Sequence, residues 1–324
     1  MTVRRRNVDI TSDIQGHLDE RPVNKNYKNN IILPPKPEIV TSATFKYLDA
    51  GIGSKRTDSR RAPNGTFNSI GFGLQDNSFV TAEYGIVSFS EESESNILSD
   101  IIDLAATAGE VSYDTVMLER EARVSEAVFN TTTFSGADYT LTIASADQWN
   151  KTTSKVREHI TSASKYLRKR FGVTRSQLEL VLSDLLLDDI IDVMAQDSTL
   201  IYQNSIRTDS REVQVALATV YLKIGNIIEV TSMFDAKGEG QKGAEFNPMW
   251  RADYAMLGLI SDSGKSWKGS LGRQPVYTKH SKDFKVSTMY DWDTKTTKVR
   301  TEEYRGTFVD KKYGFLLTNC VTLA

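Results

Sequence analysis

Two glycine-rich stretches and a few groups of ionisable side chains are where this chain's residue types would permit chemistry. Gly238-Glu-Gly-Gln-Lys-Gly243 has the G-x-G-x-x-G spacing that lets a backbone approach a dinucleotide pyrophosphate. That use requires a helix straight after the last glycine, with its free amides aimed at phosphate. Pro248 arrives five residues later, Glu239 would set a carboxylate among the phosphates, and Asp262 follows without a βαβ pattern around it. A surface loop is the expectation. Gly264-Lys265-Ser266 imitates the end of a phosphate-binding loop, but Leu259 stands where that loop needs glycine, and Trp267 to Gly272 is turn-rich where a helix is needed. The nucleotide-using enzyme these stretches suggest is the weakest reading of the chain.

Asp184, Asp188 and Asp192 recur every four residues, on one helical face, and would bind a divalent cation only with oxygens from another element. A solvated acidic face is the simpler account. His159 flanks the apolar stripe of its helix, with no serine or cysteine nucleophile motif beside it. Lys165, Arg168, Lys169 and Arg170 suit phosphate contact, and suit equally a basic helix end favoured by the macrodipole. Cys320 is the single cysteine, so neither a disulfide framework nor a cysteine-based zinc site can be built within one chain. His17, His159 and His280 leave little for a histidine-rich centre. No catalytic residue, cofactor or metal is expected.

The elements around these residues belong to a chain of 324 residues, 39% hydrophobic and 25% charged, which suits one large domain or two intimately joined ones. No apolar run approaches eighteen residues, and Arg4, Arg5 and Arg6 have no apolar stretch behind them. A membrane span and a secretory signal are therefore not expected, and a cytoplasmic site of synthesis is. Helices are predicted over Ser95–Ala108 and Ser112–Asn130, the second with Leu118, Ala122, Ser125 and Phe129 on one apolar stripe beside Met117, Val124 and Val128. Ser154–Arg170 places Val156, Ile160, Ala163 and Leu167 on one face and stops at Gly172. Leu178–Leu182 has strand length, and Ser183-Asp184 caps a helix whose Leu186, Leu187, Ile190, Ile191 and Met194 face inward. Strand, helix and strand alternate through Val213–Leu222, Asn226–Phe234 and Tyr254–Ile260. From Asp283 the pattern becomes hairpins, with Phe284, Val286 and Thr288 alternating with polar neighbours, a turn at Asp291 to Thr294, and strands through Phe315 to Val321.

Charge is segregated along the chain. Residues 1–61 hold twelve Lys/Arg against seven Asp/Glu, although the whole chain carries −2. Glu83 to Glu121 holds ten acidic residues opposed only by Arg120, and Lys151 to Arg175 eight basic residues opposed only by Glu158. Four of seven prolines (Pro22, Pro34, Pro35, Pro37) fall in the first 37 residues, amid asparagines and lysines. This composition favours an extended arm held by another surface, with a second copy the expected partner. Thr44–Asp49, the basic turn-rich Gly51–Gly65, and strand-like runs at Thr66–Phe72 and Phe79–Phe89 read as a long β-hairpin with a projecting tip.

Arm, basic hairpin and acidic helix, in that order, resemble the tailed-bacteriophage major capsid proteins of the Hong Kong 97 type. Glu119-Arg-Glu-Ala-Arg-Val-Ser-Glu-Ala-Val-Phe-Asn130 is similar to the end of that family's spine helix. Ala146-Asp-Gln-Trp149 resembles the lead into its axial domain, and Val299 to Thr307, Asp310 to Phe315 and Asn319 resemble its last peripheral strands. The resemblance implies an α+β capsid fold with an N-arm at 1–42, an E-loop hairpin at 43–92, a peripheral domain with spine helix at 93–150 and 265–324, and an axial domain at 151–264. It implies hexamers and pentamers of many copies in an icosahedral shell around double-stranded DNA touched non-specifically. A virion location, assembly in the host cytoplasm, and portal, scaffolding or decoration proteins as partners follow from it, with no membrane. A cargo-enclosing bacterial nanocompartment shares the fold and is the alternative. Some relatives cross-link an E-loop lysine to a neighbour's asparagine; Lys55 fits the lysine's place, but no acid partner is identifiable and no cross-link is expected. Like charges at Lys55, Arg56, Arg60 and Arg61 repel at the hairpin tip, which predicts an acidic docking surface on a neighbour, formed by Glu91, Glu92, Glu94, Glu119 and Glu121.

Overall fold

A computed structural model describes residues 27–48, 74–92, 104–151, 153–196, 210–235, 246–260, 269–279 and 283–322. In chain order the strands are β1 (Pro35–Glu38), β2 (Ser42–Leu48), β3 (Leu74–Val80), β4 (Ala82–Glu91), β5 (Thr140–Thr142), β6 (Glu179–Ser183), β7 (Asn226–Val230), β8 (Met233–Asp235), β9 (Phe246–Pro248), β10 (Ala255–Gly258), β11 (Gly272–Tyr277), β12 (Lys285–Asp291), β13 (Thr296–Arg305), β14 (Phe308–Val309) and β15 (Gly314–Thr318).

The body is a five-stranded sheet in the order β5-β15-β10-β6-β7. Its three middle strands are antiparallel neighbours, and the outer two are added parallel. Those middle strands are short apolar runs because both faces are covered. Register places Leu180, Leu257 and Phe315 in one row and Val181, Met256 and Leu316 in the next, on the opposite face. The first face packs on helices Val156–Phe171, Asp184–Gln196 and Arg211–Leu222. The second packs on Val124 and Val128 of the long helix Leu104–Val128, with Ile32, Leu33 and Trp250.

The Val156–Phe171 and Asp184–Gln196 helices bury the residues that periodicity selects. Gly172 (φ 67°) ends the first in the left-handed conformation, its amide on the Arg168 carbonyl at 2.8 Å. The Ser183 hydroxyl accepts the Leu186 amide of the second at 3.3 Å. Of the three stretches read as strand, helix and strand, the first two are exchanged, since Val213–Leu222 lies in a helix and Asn226–Phe234 supplies β7 and part of β8, while Tyr254–Ile260 contains β10.

The second sheet is a ribbon. β13 pairs with β12 on one side and along its whole length with β4, and its end reaches β11, which carries β1 and β14. The inner face lies on the long helix, where Val286 and Val299 meet Ala108 and the Ser112 and Thr301 hydroxyls bond at 2.7 Å.

Five expectations need correction. The long helix runs unbroken through Gly109: that glycine is buried, and packing outweighs its propensity cost of about 1 kcal/mol. Of the Ser95–Ala108 helix, residues 95–103 lie outside the described residues. The long helix's buried face is also rotated from the predicted stripe, since Leu118 and Ala122 are only half-buried while Arg120 and Glu121 are buried. Phe79–Phe89 is two strands: β3 pairs with β2 and β4 with β13, and Thr81 between them anchors its amide on the Thr41 carbonyl at 2.8 Å. The arm does not leave its own body everywhere, because Ile32 and Leu33 are fully buried and β1 lies parallel to β11, with Pro35 opposite Gln274. Finally, β15, grouped with the ribbon in the sequence, belongs to the body sheet. Its Gly-Phe-Leu-Leu-Thr run is buried throughout, as a central strand requires.

Candidate functional site

Most of the catalytic candidates are accounted for by their neighbours. His159 Nδ1 accepts the Trp149 indole N–H at 3.3 Å, and burial holds its pKa below the usual value. Asp188 pairs with Arg211, and Asp184 Oδ1 accepts the Leu185 amide at 2.9 Å. Among the described residues no three His, Cys, Asp or Glu side chains gather as metal ligands. Desolvation pushes the buried Cys320 thiol well above its ordinary pKa, the reverse of what a nucleophile needs. Lys165, Arg168 and Lys169 are exposed, while Arg170 donates to the Lys312 and Asp138 carbonyls and stacks on Tyr139. Gly238 to Gly243 and Gly264 to Ser266 lie outside the described residues.

The densest polar constellation is buried and spans elements. Successive residues of a helix lie about 100° apart, so adjacent Arg120 and Glu121 point to different partners. Arg120 turns to the ribbon: Nε donates to Glu303 at 2.8 Å, Nη2 to Asp283 at 2.9 Å, and the guanidinium stacks 4.3 Å from the Phe284 ring. Arg123 binds the other oxygen of Glu303 and lies 3.5 Å over Tyr84. Arg305 bonds Asp283, Asn30 (3.0 Å) and Gln274 (3.1 Å); desolvation, with Arg120 nearby, lowers its pKa to about 10. Glu121 turns to the body and accepts from the Asn29 amide (2.9 Å), the Asn29 side chain (2.8 Å) and the Trp250 indole (2.7 Å). Gln274 completes the tie by donating to the carbonyls of Asn29 and Leu33 at 3.0 and 2.7 Å. The network fixes the N-terminal segment, the long helix, the ribbon and the body to one another. Its chemistry is positional.

Of the predicted docking residues, Lys55, Arg56, Arg60, Arg61 and Glu94 lie outside the described residues. Glu91 and Glu92 are exposed at the end of β4, where the Tyr290 hydroxyl donates to Glu92 at 2.6 Å. Glu119 is also exposed, but it neighbours Arg120, whose partner Glu303 sits opposite Tyr84, about 25 Å down the strand from Glu91. Glu121 is removed from the set, since it is fully buried and engaged inside its own subunit. The acidic stretch is thus spread along the ribbon and not gathered at one spot.

The ribbon's outer face carries a feature that the charge pattern hid. Register aligns Phe89, Lys298 and Met289 in one row and Val87 beside Arg300 in the next. Phe89 is 70% exposed, Met289 62%, and Trp292 at the turn 70%. These exposed apolar side chains lie beside Lys298 and Arg300, which pair with Asp291 and Glu83. Alternation in β4 and β12 signalled a half-buried sheet but not which side was left open.

No family model matches the chain, and no curated protein matches it. Solved structures do. A phage-related protein from Bordetella bronchiseptica superposes with a TM-score of 0.68 at 12% identity, over 97% of each chain. The capsid of cyanophage P-SCSP1u gives 0.57 at 8% identity, covering 92% of this chain and 89% of that one. A virus-like particle from Pyrococcus furiosus gives 0.53 at 10%, covering 95% and 97%. The fold is the Hong Kong 97-type capsid fold that the element order implied.

Proposed function

We propose that the chain is the major capsid protein of a tailed bacteriophage, assembling as hexamers and pentamers into an icosahedral shell around double-stranded DNA. The observation that carries this reading is the two-way coverage of capsid structures, which take in 92% of this chain and 89% of theirs. A structural role fits the buried, positional network. The exposed apolar row on the ribbon and the exposed Glu91 and Glu92 support contact with further copies. In this reading the hairpin of one subunit lies across the β4 region of its neighbour, with Lys55, Arg56, Arg60 and Arg61 facing Glu91, Glu92 and Glu94, and with Glu119 too far along to meet the same tip. Each exposed pair contributes only about 0.2–1 kcal/mol, but a shell repeats every contact. Its place is the virion, after assembly in the host cytoplasm, with portal, scaffolding or decoration proteins as further partners.

Negative-stain imaging of the purified protein tests the reading, with closed shells expected and a dispersed monomer at all concentrations counting against it. Reversing Arg60 and Arg61 to Glu should lower shell yield and its salt sensitivity without unfolding the subunit. The likeness to the Pyrococcus particle favours a second reading, a cargo-enclosing nanocompartment. Shells that copurify with an enzyme and no DNA would select it.

A further inference from the structure

The three helices on the body sheet present different outer sides. Val156–Phe171 shows Arg157, Lys165, Arg168 and Lys169 to water, and Asp184–Gln196 shows Asp188, Asp192 and Leu185. Arg211–Leu222 has no charged side chain after Glu212. Past the exposed Glu212 at its start, Val213, Ala216 and Val220, spaced i, i+3 and i+7, form its solvent side, with Val213 44% and Val220 74% exposed. That spacing makes an apolar stripe of the kind that normally faces a core. The helix's contact with its own core is made elsewhere, by Ala218 and Leu222. Among the described residues nothing covers the stripe.

Its two flanks carry opposite charge. Between Tyr221 and the Val156–Phe171 helix runs a cleft of about 580 Å³ whose lining includes Lys155, Arg157 and Lys165, with Glu158 its one acid. The helix Asp184–Gln196 packs against Arg211–Leu222 and sets exposed Asp192, one turn beyond the Asp188 held by Arg211, on the side of the exposed Leu185. An apolar strip edged by cations is complementary to a leucine edged by a carboxylate, and both surfaces belong to the same chain. We infer that the Asp184–Gln196 helix of one copy seats on the valine stripe and basic cleft of the next, Leu185 toward the valines and Asp192 toward Arg157 and Lys165. A contact of this kind, repeated head-to-tail, generates a ring if the rotation closes. The inference rests on the shell-subunit reading and assigns a contact within that shell.

The test compares wild type with Val220→Asp, Lys165→Asp, Asp192→Lys and the Lys165→Asp/Asp192→Lys pair by sedimentation and imaging, with thermal melting of each unassembled fraction. Val220→Asp should melt as the wild-type subunit does while its assembled fraction falls at least tenfold. Each single charge reversal should reduce assembly several-fold, and the paired reversal should recover it, since it restores opposite charges across the contact. Normal assembly of Val220→Asp would overturn the inference. So would a lowered melting temperature of its unassembled subunit, which would mean that the stripe is covered by the subunit's own chain. Failure of the paired reversal to exceed the single ones would overturn the helix assignment. If the wild type forms no particles at all, the shell reading falls instead, a distinct outcome.

Discussion

Asp189 sits half-buried on the Asp184–Gln196 helix between two like charges. Desolvation first, then Asp192 and Asp188, raise its pKa to about 6, while Arg211 across the layer is engaged with Asp188 and Glu229. The folded state therefore binds this proton more tightly than the unfolded chain, whose aspartate has an ordinary pKa near 3.8. Its contribution falls as pH rises from about 4 to 6 and stays unfavourable above that window. Asp189→Asn should stabilise the unassembled subunit at pH 7 by about 1 kcal/mol, allowing for solvent screening of a half-exposed group, and the gain should vanish below pH 4. Denaturant melts at the two pH values decide it; a gain that persists at pH 4 would assign the effect to packing. Other residues were harder to foresee. Arg120 and Glu121 are consecutive charges in a patterned helix, a sequence that looks like a solvated face. Their burial depends on partners 183 residues away at Glu303 and 129 away at Trp250, which no local pattern reports.

At the level of elements, periodicity was informative wherever one element packs on one face. The Val156–Phe171 and Asp184–Gln196 helices follow their stripes, and the β12–β13 hairpin follows its alternation and its turn, where Lys295 takes φ 49°. It failed for β15, an apolar run whose sheet is set by long-range pairing, and for the N-terminal segment, where prolines masked Ile31-Ile-Leu33. That segment yields a prediction. Deleting residues 1–26, the polar part of the arm expected to be held by another copy, should not change subunit stability. Deleting residues 1–40 removes Ile32 and Leu33, each fully buried and each contributing about 1.5–3 kcal/mol, and takes the Asn29 donors from Glu121. The longer deletion should lose more than 3 kcal/mol or fail to fold, measured by urea melting of the unassembled chain. Equal stability of the two deletions would mean that residues 27–40 are bound only in the assembly.

The molecule as a whole joins two sheets of unequal strength through one helix. The body sheet is packed on both faces by extensive apolar clusters, whereas the ribbon's own core beneath it is Ala108, Val286 and Val299 with Ala105 and Tyr113 at its margin. The ribbon is held to the long helix instead by polar contacts, Ser112 with Thr301 and Arg120 and Arg123 with Glu303. Removing one member of a buried ion pair leaves the other charged and uncompensated, a cost of about 3–5 kcal/mol. Glu303→Ala would leave Arg120 and Arg305, the latter already lowered to a pKa of about 10, sharing the half-exposed Asp283 as their remaining acid contact. The body makes no direct use of Glu303, since its tie to the helix runs through Glu121, Val124 and Val128. Destabilisation should therefore be local. Amide exchange in Glu303→Ala should accelerate across β4, β12 and β13 while β6, β10 and β15 keep their protection, and unfolding should separate into two transitions. A uniform loss of protection in both sheets would show that the long helix transmits the defect and that ribbon and body are one cooperative unit. Under the local outcome, the molecule has its compliance at the ribbon, where Phe89 and Met289 are exposed, and its rigidity in the body.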